Sequence, residues 1–169
     1  MTVFPPKLQM RAESETHPNT IRAAIYARIS SLNQKFNYSI NEQIDCCQKY
    51  IEQRGWITKY LFYDECERAK TMDRTKFQLM VEKAKLGCFD VIVFWKIDRF
   101  CRSLADLVNV ERTLRECGVS LSSVTEFIDT TTSVGRFNFR SVGSVAELES
   151  EIISERARLG LNGLAKAHK

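Results

Sequence analysis

The sequence predicts an α/β fold in which a mostly parallel central sheet is flanked by helices and followed by a long C-terminal helix. Two observations lead to this fold class. Short apolar segments alternate with longer segments in which apolar residues recur at helical spacing. One short segment, 90–95, is apolar almost throughout, which is typical of a central strand covered by helices on both faces.

Length and composition limit the classes to which the chain can belong. Its 169 residues suffice for one domain with a buried core, and no apolar run is long enough to cross a membrane. A net charge of +4 permits an anionic partner without requiring one. The six cysteines lack zinc-site spacing, and the two histidines lie near the ends of the chain. We therefore expect a cytoplasmic protein with reduced thiols, no bound metal and no cofactor.

The first elements can be placed in order from local signals. Residues 1–20 are polar, contain proline and lack the apolar stretch of a secretory signal, so we expect a flexible leader. A strand is predicted over 21–29. Residues 39–42 fit the S-x-x-E capping box, which predicts a helix that Gly55 ends. A second strand follows over 56–63.

The middle of the chain continues the alternation. After a polar stretch, a helix with one apolar face ends before Gly87, and the buried strand over 90–95 follows it. A further helix ends at Gly118 and leads into a fourth strand over 119–124. We expect the catalytic or binding domain to occupy residues 21–135.

A long helix is predicted from about Phe137 towards Leu164, within a separate assembly segment over 136–169. Its apolar residues fall three, three, four and seven positions apart and form a narrow stripe: Val142, Val145, Leu148, Ile152 and Leu159. Packing of this stripe on the chain's own sheet is one interpretation. We favour the other, in which the stripe contacts a partner helix.

Candidates for chemistry stand at the predicted carboxyl ends of two strands, where open parallel sheets bind their ligands. Alternation along the first strand places Tyr26, Arg28 and Ser30 on the same side. Arg99 and Arg102 follow the buried strand, three positions apart at the predicted start of a helix. Together with the N–H groups of a helix N-terminus, these guanidiniums predict a phosphate site.

Such a site suits the attack of a hydroxyl on a phosphodiester, because fixed guanidiniums stabilise the negative charge that builds on the phosphate oxygens. Taken singly, a serine after a strand is usually a turn residue, and a D-R-x-x-R run is usually solvated surface. Their occurrence together at two strand ends favours Ser30 as a nucleophile.

On these motifs the chain resembles the serine site-specific recombinases, which include resolvases, invertases and large serine integrases. The opening motif appears as YARIS over 26–30 with Gln34, and the S-I-x-x-Q motif occupies 39–43. Arg74 matches the arginine ahead of the second helix, and 98–102 matches D-R-x-x-R. The resemblance spans Ile21 to about Gly160, and the spacing of its first two motifs is most like that of the large integrases.

The resemblance implies a reaction and a role for each matched residue. Ser30 would attack the DNA phosphate, forming a 5′-phosphoserine and releasing a 3′-hydroxyl. The phosphate would be clamped by four arginines: Arg28, Arg74, Arg99 and Arg102. Asp98 is a candidate general acid toward the leaving oxygen. Supporting roles fall to Tyr26, Gln34, Gln43, Asp64 and Glu149.

The resemblance also implies partners and an assembly. Family members act on double-stranded DNA, and we expect a dimer at rest and a tetramer in synapsis, with the apolar stripe at the contact. Rejoining reverses the attack, so neither ATP nor metal is required. Because members carry a DNA-binding region after the long helix, we expect this chain to be a truncated catalytic fragment.

Two departures from the family pattern leave other functions open. Arg68 stands where a small residue is usual, and Ser150 stands where an arginine usually follows the glutamate. One alternative is a catalytically impaired module of the same fold that binds DNA or assembles. The other is a phosphate-ester hydrolase that uses the same serine and releases its product to water.

Overall fold

A computed structural model describes residues 20–28, 39–64 and 74–167; at 146–147, 149–151 and 157–167 it describes the backbone alone. Four strands form one sheet in the order β2-β1-β3-β4, and every neighbouring pair is parallel. The strands are β1 (Arg22–Arg28), β2 (Ile57–Asp64), β3 (Val91–Phe94) and β4 (Ser120–Ser123). The predicted α/β class with a parallel sheet is confirmed.

Helices cover both faces of this sheet. They are α1 (Ile40–Gln53), α2 (Thr75–Lys85), α3 (Ile97–Phe100), α4 (Leu104–Glu116) and α5 (Ser133–Ala167). Helix α1 packs on one face against β1 and β3, whereas α2 and α4 pack on the other against β2 and β4. The result is a helix–sheet–helix sandwich.

Residues of the central strands divide between two apolar clusters according to the pleat. Ala24 and Tyr26 of β1 point towards α2 and α4, and Ala23 and Ile25 point towards α1. All four residues of β3 are buried, as the apolar run over 90–95 predicts. Both faces of the sheet are thus covered by helices, so a functional site is expected at the ends of the strands.

Local signals at the helix ends act as predicted. Ser39 Oγ accepts a hydrogen bond from the Glu42 amide at 3.2 Å, and the Glu42 carboxylate accepts one from the Ser39 amide at 2.7 Å. This pair is the predicted capping box of α1. Gly55 follows the helix with φ of 68°, a left-handed conformation that glycine adopts without strain.

Helix α5 begins at Ser133, four residues before the predicted start. Thr132 supplies the missing start signal, because its Oγ1 accepts a hydrogen bond from the Gly135 amide at 3.0 Å. Phe139 is buried, and Gly143 lies against Val108 of α4. This first part of α5 is therefore anchored on the sandwich.

The predicted apolar stripe lies on a different face of α5. Val142, Val145, Leu148 and Ile152 are 48%, 57%, 55% and 38% exposed. The side chain of Leu159 lies outside the described residues. Packing on the chain's own sheet therefore does not account for the four described positions.

Across residues 20–28, 39–64 and 74–167, no helix combines the length and apolarity that a membrane span needs. The predicted leader lies outside the described residues, apart from Thr20.

Candidate active site

The carboxyl ends of all four strands meet at one edge of the sheet, as parallel pairing requires. Arg28 ends β1, Asp64 ends β2, and the short helix α3 follows β3 after two linking residues. Polar side chains from several elements converge on α3 at this edge.

Two guanidiniums hold the carbonyl groups of α3. Arg28 donates from Nη2 to the Asp98 carbonyl at 2.8 Å and from Nε to the Arg99 carbonyl at 3.3 Å. Arg74 donates from Nη2 to the Phe100 carbonyl. The last carbonyls of a helix have no hydrogen-bond donor within the helix. In α3 the donors are Arg28, from β1, and Arg74, from the start of α2. The helix is thus fixed between them.

Glu126, which follows β4, holds the other end of α3. Both of its carboxylate oxygens lie 3.2 Å from the Ile97 amide nitrogen, which donates to them. Lys96, at the N-cap position, makes no side-chain capping bond. The carboxylate of Glu126 therefore caps α3 from a neighbouring loop.

Arg74 is held by aromatic rings as well as by the Phe100 carbonyl. Its guanidinium carbon lies 3.9 Å from the centre of the Phe77 ring and 5.7 Å from that of Tyr26. Its Nη2 donates to Tyr26 Oη at 3.4 Å. Nε of Arg74 is buried and has no hydrogen-bond partner among the described residues. The position of this cation is therefore set by aromatic rings and hydrogen bonds together.

Tyr26 and Asp64 form a buried pair beneath Arg74. Tyr26 Oη donates to Asp64 Oδ2 at 2.8 Å, and the Asp64 carboxylate also accepts the amides of Lys76 and Phe77 at 3.0 and 3.1 Å. Burial raises the pKa of Tyr26 well above its ordinary value, although the nearby charge of Arg74 acts in the opposite direction. Tyr26 therefore stays protonated, and Asp64 caps the first turn of α2.

Gln43 of α1 fixes the end of β1. Its Nε2 donates to the Arg28 carbonyl at 3.2 Å, and its Oε1 accepts from the Arg28 amide at 3.4 Å. The side chain is almost fully buried. One amide side chain thus pairs with both backbone groups of a residue, as a neighbouring strand would.

The D-R-x-x-R segment differs from its predicted form. Arg99 and Asp98 lie in α3, and their side chains approach to 3.7 Å between Arg99 Nη2 and Asp98 Oδ2. Arg102 is exposed and lies between α3 and α4, because Cys101 is extended and Ser103 starts α4 as its N-cap. The prediction that both arginines begin one helix is therefore wrong. The first amide of α3, expected to face phosphate, is occupied by Glu126.

Cys101 lies within the same segment. Burial raises the pKa of its thiol to about 11, although the charge of Arg74 acts in the opposite direction. The thiol is therefore protonated near neutral pH and is a poor nucleophile.

The family model described as "Resolvase, N terminal domain" matches residues 23–169. The chain belongs to this family. It is 37% identical over 136 residues to the transposon Tn917 resolvase of Enterococcus faecalis, a match that covers 80% of this chain and 67% of the relative. It is 36% identical over 125 residues to the DNA-invertase of Escherichia phage P1, covering 73% of this chain.

The chain spans 64% of the length of that phage P1 DNA-invertase. Among solved structures, the N-terminal catalytic domain of TP901-1 integrase matches with a TM-score of 0.68 and 30% identity. That match covers 78% of this chain and 98% of the integrase domain. The resemblance to serine recombinases drawn from the motifs is confirmed at the level of the family.

Most of the predicted resolvase-family site residues lie at the same edge of the sheet. The described ones are Tyr26, Arg28, Gln43, Asp64, Arg74, Asp98, Arg99 and Arg102. Ser30 and Gln34 lie outside the described residues, as does the side chain of Glu149. Glu126 was missed by the sequence analysis, although an acidic residue just after a predicted strand of this sheet was a usable signal.

Proposed function

We propose that this chain is the catalytic domain of a serine site-specific DNA recombinase, with Ser30 as its nucleophile. The observation that carries the proposal is the convergence of Arg28, Arg74 and Arg99 on one edge of the sheet. Ser30 follows Arg28, the last residue of β1, by two positions in the sequence. Membership of the resolvase family supports this assignment.

In the proposed reaction, Ser30 Oγ forms a bond to the DNA phosphorus while the bond from phosphorus to the 3′-oxygen breaks. The products are a 5′-phosphoserine and a 3′-hydroxyl. Ser30 releases its hydroxyl proton to solvent water as it attacks. Arg28, Arg74, Arg99 and Arg102 stabilise the charge on the phosphate oxygens. Asp98 supplies a proton to the leaving 3′-oxygen and regains one from water, so that protons balance over the step. Rejoining reverses these steps, since the phosphoserine keeps a phosphoester bond of similar energy.

The fixed arginines favour this chemistry over loose anion binding. Arg28 and Arg74 are oriented by carbonyls and aromatic rings before any phosphate arrives. A preorganised cation needs little rearrangement during the reaction and stabilises a transition state better than a mobile one does. Gln34, Gln43, Asp64, Tyr26 and Glu149 are proposed to support this arrangement.

The exposed stripe of α5 is proposed as the contact with a second copy of the chain. Apolar residues at a spacing of three or four positions form a seam that fits another helix. Four of them are exposed, on a face of α5 different from the one that packs on α4. The proposed partners are thus double-stranded DNA and the chain itself, as a dimer at rest and a tetramer in synapsis.

A trapping experiment tests the reaction. The chain is fused to a sequence-specific DNA-binding domain and incubated with a nicked duplex that carries that domain's site. We expect a covalent adduct at the DNA 5′-end, resistant to denaturant and absent in Ser30→Ala. Ser31→Ala, which removes the adjacent hydroxyl, is the matched control and should keep the adduct.

Three results would contradict the proposal. The first is the absence of any adduct, as expected for an impaired module of the same fold. The second is an adduct that survives Ser30→Ala. The third is steady release of 5′-phosphate without an adduct or rejoining, as expected for a hydrolase.

A further inference from the structure

Glu126 occupies the loop between β4 and α5 and belongs to none of the motifs on which the resemblance to serine recombinases was drawn. Besides capping α3 through the Ile97 amide, its carboxylate accepts a hydrogen bond from the hydroxyl of Ser123, the last residue of β4. The Glu126 amide donates in turn to Ser123 Oγ at 3.3 Å. Both the carboxylate and its own backbone are therefore held by one residue of the sheet.

The same loop is tied to the chain just ahead of α3. Thr125 Oγ1 donates to the Trp95 carbonyl at 2.9 Å, and Ser123 Oγ lies 3.3 Å from the same oxygen. The Val124 amide donates to the Phe94 carbonyl at 2.9 Å. The loop therefore follows the chain from the end of β3 to the first amide of α3.

We infer that Glu126 is a positioning residue that sets the orientation of α3, and with it Arg99, for the proposed phosphate site. This inference rests on the proposed function. Helix α3 has four residues, too few to be stable alone, and lacks a capping side chain of its own. Its carbonyls are held by Arg28 and Arg74, so Glu126 provides the opposing contact at its other end.

A carboxylate suits this position for two reasons. It accepts from an amide at a helix N-terminus, where hydrogen bonds to a charged acceptor are stronger than those to a neutral one. It also accepts from Ser123 at the same time, which ties α3 to the rigid end of β4. Without it, α3 can rotate about its held carbonyls and displace the Arg99 guanidinium.

The first test compares Glu126→Ala and Glu126→Gln in the adduct-forming assay. At saturating DNA we expect Glu126→Ala to lower the rate constant for adduct formation by roughly 10- to 100-fold, as small misplacements of catalytic groups do. The DNA concentration for half-maximal rate should change little. Glu126→Gln keeps an acceptor for the Ile97 amide and should recover most of the rate.

Asp90→Ala is the matched control. Asp90 also accepts a backbone amide, that of Arg22 at 2.8 Å, but at the opposite edge of the sheet. Its removal should lower stability without slowing adduct formation. If the control slows the reaction as much as Glu126→Ala, Glu126 has only a general structural role and the inference fails.

The second test needs no DNA and separates this inference from the proposed function. In a two-dimensional nitrogen–proton spectrum, Glu126→Ala should move the Ile97 amide and the Arg99 Nε signals, whereas Asp90→Ala should leave both unchanged. An unmoved Arg99 signal overturns the inference even if the parent forms adducts. If the parent protein forms no DNA adduct, the proposed function fails. A shift of the Ile97 amide and Arg99 Nε signals in Glu126→Ala would still support the inference that Glu126 positions Arg99.

Discussion

Gly135, in the first turn of α5, is the position at which one added methyl group should do most damage. A Cβ built there would overlap the Asp129 carbonyl oxygen and would lie 2.8 Å from its carbon and 2.9 Å from Thr132 Oγ1. The obstructing atoms are mainly backbone, which cannot turn away as a side chain can. Gly135→Ala must therefore displace either the start of α5 or the loop before it.

Two opposing effects determine how much Gly135→Ala changes the free energy of unfolding. Alanine is favoured over glycine in a helix by about 1 kcal/mol. Overpacking against a fixed neighbour costs about 1–3 kcal/mol and occasionally more, and this overlap belongs at the upper end. We expect a net loss of about 2 kcal/mol in the free energy of unfolding, or roughly 4–8 °C in Tm for a domain of this size.

Gly143→Ala, in the same helix, is the matched control. Its Cβ would lie 3.2 Å from Val108 Cγ2, a side-chain atom that can shift. We expect this variant to match the parent or to gain up to about 1 kcal/mol. Urea unfolding followed by circular dichroism measures both. A Gly135→Ala variant at least as stable as the parent would show that the start of α5 is not fixed against Asp129.

Three further predictions concern other parts of the molecule. Hydrogen bonds from Arg22 hold the pKa of Asp90 below 3.8. This pair therefore stabilises the fold above that pH and ceases to do so as pH falls through the lowered pKa. At neutral pH, Asp90→Asn should lower the free energy of unfolding by at most about 1 kcal/mol, because the pair is half-exposed. In urea titrations, this difference from the parent should shrink in acid. Tyr26→Phe should lower the free energy of unfolding by about 1 kcal/mol, since it removes one hydrogen bond. Asp64→Ala should lower it further, because Asp64 also accepts two backbone amides of α2. Equal losses of the two variants in chemical unfolding would contradict this. Val145→Glu should weaken self-association, measured by sedimentation, without lowering Tm. Phe139→Ala, in the buried face of α5, should instead lower Tm. A Val145→Glu protein that associates like the parent would exclude the apolar stripe as the contact between copies.

Much of the fold could be predicted because its signals are local. The capping box at Ser39 and the apolar run over 90–95 each determine an element within a few residues. Parallel pairing then follows, since strands separated by helices return in the same direction. The early start of α5 was missed because Thr132, whose hydroxyl caps the helix, is one of three consecutive threonines and does not stand out in the sequence.

The site was predictable in its residue types but not in its internal contacts. Arginines near strand ends can be recognised from sequence, and Arg28, Arg74 and Arg99 do lie together. The break between α3 and α4 has a local signal that the prediction did not use, the Ser103 cap of α4, whereas the position of α3 is set by residues far from it in the chain. Glu126 lies 29 positions from the amide that it caps, and no periodicity connects the two.

The dependence of α3 on distant side chains has a consequence for folding. Its supports come from β1, from the start of α2 and from the loop after β4, so they are together only once the whole sheet has formed. A chain that is still emerging from the ribosome, or one that lacks β4, is therefore not expected to form α3. Amide exchange at Phe100 and Cys101 should accordingly require global unfolding rather than local opening. The proposed phosphate site would then form in one step, and a half-folded chain would lack it.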